Sequence, residues 1–136
     1  MTRVFFDTNV LVYADVAHAA EKQRRSQELL VAAARAGNGV LSTQVLVEYY
    51  NVAVRRLRLL PTVALQRVRD FSAFHVIVTD TALVLSALEL SQLGSLSHWD
   101  ALIVRAAAGA GCSVLYSEDL QPNRVIEGVR VVNPYA

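Results

Sequence analysis

The stretch Val4-Phe5-Phe6-Asp7-Thr8-Asn9 joins a short apolar run to three polar residues that begin a helical pattern. A continuous apolar run of this length is typical of a strand that is buried on both faces. Helical patterning covers 9–16 and then 19–36, where Gly37-Asn38-Gly39 ends it. The stretch therefore predicts the first strand and helix of an α/β domain, with Asp7 directly after the strand.

The same alternation continues to the end of the chain. Four further apolar runs have strand character, at 40–41, 75–78, 113–116 and 129–132. Helical patterns separate most of them and cover 43–57, 61–71, 80–93 and 97–108. Alternating strands and helices predict a mainly parallel sheet covered by helices on both faces. In such sheets the binding crevice lies outside the carboxyl ends of the strands.

The composition indicates one folded domain over 1–136, because 54% of the residues are hydrophobic and only 18% are charged. The single cysteine, Cys112, excludes an internal disulfide and fits a reducing compartment. No apolar leader is recognisable after Met1, and no uncharged stretch reaches the roughly 18 residues that span a bilayer. These features predict a cytoplasmic protein.

Basic residues are concentrated in one part of the chain. Segment 55–69 holds five arginines and no acidic residue: Arg55, Arg56, Arg58, Arg67 and Arg69. Guanidinium groups suit bidentate contacts with phosphate, so this segment is a candidate for binding a nucleic-acid backbone. A solvated helix face in an arginine-rich composition explains the pattern equally well, and the sequence leaves both interpretations open.

Four acids are candidates for a shared site, and two of them, Asp7 and Asp119, are expected at the carboxyl edge of the sheet. Asp7 and Asp119 follow predicted strands, Asp100 begins a helix whose next positions on that face are apolar, and Glu48 borders the apolar face of 43–57. Each acid taken alone also has a structural interpretation. Asp7 and Asp100 can cap helices, whereas Glu48 and Asp119 can be solvated.

Taken together, four neighbouring carboxylates would raise one another's pKa unless a cation compensated their charge. The candidate ligands are all oxygen atoms without a Cys or His cluster, which favours Mg²⁺ or Mn²⁺ over zinc. One such ion can make water more acidic while a second stabilises a leaving oxygen, as in phosphodiester hydrolysis. The four acids therefore predict a divalent metal site.

Five stretches resemble the PIN-domain nucleases, and within them the VapC-type toxins of bacterial toxin–antitoxin pairs. They are Phe6-Asp7-Thr8-Asn9-Val10-Leu11, Ser42-Thr43-Gln44-Val45-Leu46-Val47-Glu48, Trp99-Asp100-Ala101-Leu102-Ile103, Tyr116-Ser117-Glu118-Asp119-Leu120 and Val131-Val132-Asn133-Pro134-Tyr135. They occur in the family's order and spacing, so the resemblance covers essentially the whole chain. It implies a PIN-like three-layer α/β/α sandwich with a central, mainly parallel sheet.

The resemblance also implies roles for individual residues. The family's metal-binding acids correspond to Asp7, Glu48, Asp100 and Asp119, and its supporting residues correspond to Asn9 and Ser117. Ser117 stands where many relatives have Thr, which keeps the hydroxyl. Glu118 is a further acid beside Asp119. It has no counterpart among the family's metal-binding acids, so we expect it not to be a ligand.

By the same resemblance, the chain is expected to be a Mg²⁺-dependent RNA endonuclease, with Mn²⁺ able to substitute. It would be the toxin of a toxin–antitoxin pair that blocks growth or translation by cleaving RNA, would be neutralised by a cognate antitoxin, and would form a homodimer. Arg55, Arg56 and Arg58 are the expected phosphate contacts.

Four alternatives were compared with this interpretation. A haloacid-dehalogenase-type phosphatase needs a second Asp where this chain has Asn9, and a phosphoacceptor receiver domain needs a lysine late in the chain, whereas the single lysine is Lys22. A catalytically silent nucleic-acid-binding module predicts loss of a site acid, yet all four acids are present. A non-toxin nuclease of RNA processing stays open, although the small size favours a toxin.

Overall fold

The computed structural model describes residues 2–136, in which six strands and six helices are defined. The strands are β1 (Arg3–Phe6), β2 (Gly39–Ser42), β3 (His75–Ile77), β4 (Cys112–Tyr116), β5 (Val125–Ile126) and β6 (Val129–Val132). The helices are α1 (Thr8–Tyr13), α2 (Ala20–Ala36), α3 (Thr43–Arg55), α4 (Pro61–Phe71), α5 (Thr81–Gln92) and α6 (His98–Gly109). Within these residues no helix is long and apolar enough to cross a bilayer.

All six strands form one sheet in the order β3-β2-β1-β4-β6-β5. Every pair is parallel except β5 with β6, which is antiparallel. Consecutive residues of a strand point to opposite faces of the sheet. Phe5 and Phe6 of β1 are both buried, and so are Val40 and Leu41 of β2. Helices therefore cover both faces of the sheet, and the predicted α/β/α sandwich with a mainly parallel sheet is confirmed.

The order in which the chain adds strands changes direction at β1. It first adds β2 and β3 on one side of β1, and later adds β4 and β6 on the other side. Such a switch point opens a crevice at the carboxyl ends of the two central strands. Backbone bonds extend this edge, because the N–H of Asp7 donates to the carbonyl of Tyr116 at 3.0 Å and that of Ser117 to Val132 at 3.0 Å.

Most boundaries differ from the sequence prediction by one residue, and the larger differences are two helix ends and one strand. Helix α1 ends at Tyr13, three residues before the predicted end at residue 16. The carbonyl of the next residue, Ala14, accepts hydrogen bonds from the side chains of Gln23 and Gln27 of α2. Helix α3 ends at Arg55, two residues before the predicted end. The short strand β5 was not predicted at all, and it pairs with β6 through a tight turn.

Candidate active site

Asp7 is the buried centre of the carboxyl edge, with 6% of its surface exposed. It caps α1: one carboxylate oxygen accepts from the Thr8 N–H at 2.7 Å, and the other accepts from the Ser117 hydroxyl at 2.7 Å. Burial raises the pKa of Asp7 to about 6, and the charges of Asp119 and Glu48 act in the same direction. The two hydrogen bonds oppose this rise but do not cancel it.

Glu48 reaches the same edge from the second turn of α3. Its Oε2 accepts from the Thr8 hydroxyl at 2.7 Å, and its Oε1 accepts from the Gln44 amide at 2.8 Å, one helical turn earlier. Thr8 thus contacts both Asp7, through its backbone, and Glu48, through its side chain. The contacts of Thr8 and Gln44 were not predicted, although both residues lie in the stretches that carried the family resemblance.

Asp119 lies in the loop after β4 and is exposed. Its Oδ2 accepts from the Asn9 amide at 3.0 Å, and its backbone N–H donates to the Ser117 hydroxyl oxygen at 3.1 Å. The Asn9 amide also approaches this oxygen at 3.5 Å. The residues expected to support the site, Asn9 and Ser117, therefore connect Asp119 to Asp7.

Asp100 is the expected site acid that this network does not include. It lies in the first turn of α6, where its backbone N–H donates to the Ser97 hydroxyl at 3.1 Å, as the capping pattern predicted. In residues 2–136 its side chain has no hydrogen bond or ion pair with the other three acids. Across the same residues no three His, Cys, Asp or Glu side chains are close enough together to hold a metal ion as they stand.

The surroundings of the three connected acids nevertheless suit a hard divalent cation. Asp7, Glu48 and Asp119 accept only from neutral donors, whereas the acids with a cationic partner in the described chain are Asp15, Glu21, Glu28, Glu118 and Glu127. The Oδ1 atom of Asn9 is buried and has no hydrogen-bond partner among residues 2–136. Oxygen donors with uncompensated charge are what Mg²⁺ and Mn²⁺ prefer.

The PIN domain family model matches residues 4–127, which is most of the chain. The chain belongs to the PIN-domain family. No curated protein sequence matches it significantly. The sequence-based resemblance to this family is thereby confirmed.

Solved structures share the fold of this PIN domain at low sequence identity. The Mycobacterium tuberculosis toxin VapC20, described as cleaving the sarcin–ricin loop, is 18% identical with a TM-score of 0.68, over 84% of this chain and 88% of that one. A Klebsiella pneumoniae toxin–antitoxin complex is 23% identical with a TM-score of 0.69, over 97% and 98%. DNA-bound VapBC from Salmonella typhimurium is 23% identical with a TM-score of 0.67, over 96% and 97%.

A cavity of about 630 Å³ opens beside the carboxylates of this PIN domain. Its lining includes Glu48 and Asp119 together with four aliphatic side chains: Val12, Val16, Val52 and Leu57. Of the three expected phosphate contacts, Arg56 lines the cavity, whereas Arg55 and Arg58 are exposed outside its lining. The cavity lining therefore includes one guanidinium, that of Arg56, as well as the carboxylates of Glu48 and Asp119.

Proposed function

We propose that this PIN domain is a Mg²⁺-dependent RNA endonuclease and the toxin of a toxin–antitoxin pair. The observation that carries the proposal is a buried carboxylate, Asp7, beside two more carboxylates that have no cationic partner, at the switch point of a parallel sheet. RNA is favoured as the substrate because the structurally similar VapC20 is described as a toxin that cleaves the sarcin–ricin loop.

In this proposal Asp7, Glu48, Asp100 and Asp119 hold the cation, with Mn²⁺ able to replace Mg²⁺. When bound, the ion would polarise the phosphodiester and make water more acidic. Ser117 holds the Asp7 carboxylate in place, and Asn9 orients Asp119. Asp100 would supply its carboxylate from the first turn of α6.

The decisive experiment compares RNA cleavage by the wild type and by Asp7→Asn, with Mg²⁺ or with EDTA, on a pool of structured RNAs. We expect Mg²⁺-dependent cleavage that falls at least 100-fold in the variant. The matched control is Asp70→Asn, which removes an exposed carboxylate elsewhere and should cleave like the wild type. Equal cleavage by all three proteins would refute the site, and binding without cleavage would favour a silent nucleic-acid-binding module.

We also propose that Arg55, Arg56 and Arg58 contact RNA phosphates. All three are exposed and lie outside the ion pairs found in residues 2–136. Replacing Arg56 by Gln should weaken binding of all RNA sequences alike and reduce the salt dependence by about one phosphate contact. A loss confined to one sequence, measured by titration at several salt concentrations, would contradict a phosphate contact.

Partner binding is a further part of the proposal. A cognate antitoxin is favoured by the similar toxin–antitoxin assemblies from Klebsiella pneumoniae and Salmonella typhimurium. We also propose that the chain is one domain over 1–136 and acts in the cytoplasm. A homodimer is proposed because Val47, Leu88 and Trp99 are exposed together along an apolar groove. Light scattering of Trp99→Glu should then show a smaller mass than the wild type, whereas Val31→Glu on α2 should not change it.

A further inference from the structure

A second charged cluster lies directly beside the proposed metal site, on the same loop as Asp119. The Oε1 atom of Glu118 accepts from the Tyr13 hydroxyl at 2.6 Å, and Oε2 accepts from the Lys22 ammonium at 2.9 Å. Both carboxylate oxygens are therefore engaged, and Glu118 is largely buried, with 22% of its side chain exposed. Its neighbour Asp119 points to Asn9 instead.

Lys22 is the single lysine of the chain, and three segments hold it in place. Its ammonium lies 4.6 Å from the ring centre of Tyr13 and 5.3 Å from that of Tyr135. These two rings contact each other edge to face at 5.2 Å, and the Tyr135 hydroxyl bonds with Ser26 of α2 at 2.6 Å. A cation between two aromatic faces and a carboxylate has a defined position.

Glu118 and Asp119 line the same cavity, so the chain presents two adjacent acids to one space. Glu118 has a longer side chain than Asp119 and equally hard oxygen atoms. If it were unpaired, it would compete with Asp119 as a ligand of a divalent cation. The fixed cation at Lys22 removes that competition, because it occupies one carboxylate oxygen while Tyr13 occupies the other. Lys22, which lies 96 positions from Glu118 in the sequence, thus pairs with Glu118 and leaves Asp119 without a cationic partner in the described chain.

We propose that Lys22 is a positioning residue that keeps Glu118 out of the metal-binding set and leaves Asp119 as the ligand of this loop. The inference rests on the proposed metal-dependent function. It assigns Lys22 no contact with RNA or with the metal. Its whole effect passes through Glu118.

The test is a double-mutant cycle read out by Mn²⁺ binding, measured by calorimetry on the complete protein without RNA. Lys22→Met frees Glu118 and adds one negative charge to the site, so Mn²⁺ affinity should rise roughly 3- to 10-fold. Glu118→Gln alone leaves the Lys22 charge uncompensated and should lower the affinity roughly 3-fold, whereas the double variant, in which both charges are removed, should bind like the wild type. Lys22→Arg keeps the cation and should also stay near the wild type.

A purely structural role of Lys22 gives a different result. In that case Lys22→Met would lower thermal stability, and any change in Mn²⁺ affinity would persist when Glu118 is also replaced; that outcome overturns the inference. Unchanged affinity in a folded Lys22→Met protein overturns it as well. If the wild type binds no Mn²⁺ in an Asp7-dependent manner, the proposed function fails, and the inference that rests on it fails too.

Discussion

Replacing Asp7 by Asn tests the electrostatics of the site without any substrate. In the metal-free protein the buried carboxyl group has a pKa of about 6 instead of the usual 3.8. A carboxyl whose pKa is raised by folding stabilises the fold most at low pH, and this contribution is lost as the pH rises through the folded-state value. The wild type should therefore lose stability between about pH 4 and pH 6, and an amide at this position should not.

The expected magnitude follows from the two pKa values. At about 1.4 kcal/mol for each unit of pKa, ionising Asp7 in the folded protein opposes folding by about 3 kcal/mol at neutral pH. About 2 kcal/mol of this develops between pH 4.5 and pH 7.5, because the unfolded group is already largely ionised at the lower value. The variant should gain stability over the wild type by that amount across this range.

The assay is urea unfolding followed by circular dichroism in EDTA, at several pH values, for Asp7→Asn, the wild type and Asp70→Asn. Comparing the pH dependence removes any constant effect of the altered hydrogen bonds with Thr8 and Ser117. The exposed Asp70 should give a difference that does not change with pH. A flat difference for Asp7→Asn would refute the raised pKa, and with it the reason for expecting a cation. Adding Mg²⁺ should stabilise only the wild type and Asp70→Asn.

Three further predictions concern the frame around the site. Gly39→Ala should destabilise the fold by about 1–3 kcal/mol in urea unfolding, because its Cβ would clash with the ring of Phe74. Gly94→Ala, whose Cβ would meet no atom of residues 2–136 within 4 Å, serves as the control. Tyr49→Phe removes the hydroxyl that donates to the Asp15 carboxylate at 2.5 Å and should cost about 1–2 kcal/mol in the same assay, whereas no loss would show that bond to be without net effect. Burial raises the pKa of Cys112 to about 11. A disulfide reagent at pH 8 should therefore react roughly 100-fold more slowly with the native than with the unfolded protein. Equal rates would contradict the burial of this thiol.

The sheet was predictable from the sequence because its signals are local. Buried parallel strands are continuous apolar runs, and the carboxyl ends of such strands share an edge, so the neighbourhood of Asp7 and Asp119 follows from the pattern alone. Strand β5 has only two residues, and its turn is Glu127-Gly128, in which both residues have positive φ, 53° and 80°. Asn-Gly or Asp-Gly is the usual signal for that turn, and a Glu in its first position concealed the hairpin.

The orientation of individual side chains was not predictable. The Thr8 hydroxyl that binds Glu48 and the ammonium that binds Glu118 come from distant parts of the chain, 40 and 96 positions away. No local pattern encodes such contacts, since they depend on how the helices pack. For the same reason, the sequence grouped Asp100 with the other acids, but it could not give the direction of its side chain.

The strand order also determines when this site comes into existence during translation. Strand β1 precedes the other five strands in the chain, yet it lies in the centre of the sheet beside β4. Asp7 meets Ser117, and Asn9 meets Asp119, across 110 positions of sequence. Closing so long a loop requires the chain as far as Asp119, so a nascent product that ends before Ser117 carries Asp7 and Glu48 but no assembled site. The site would therefore assemble only after residue 119 has left the ribosome.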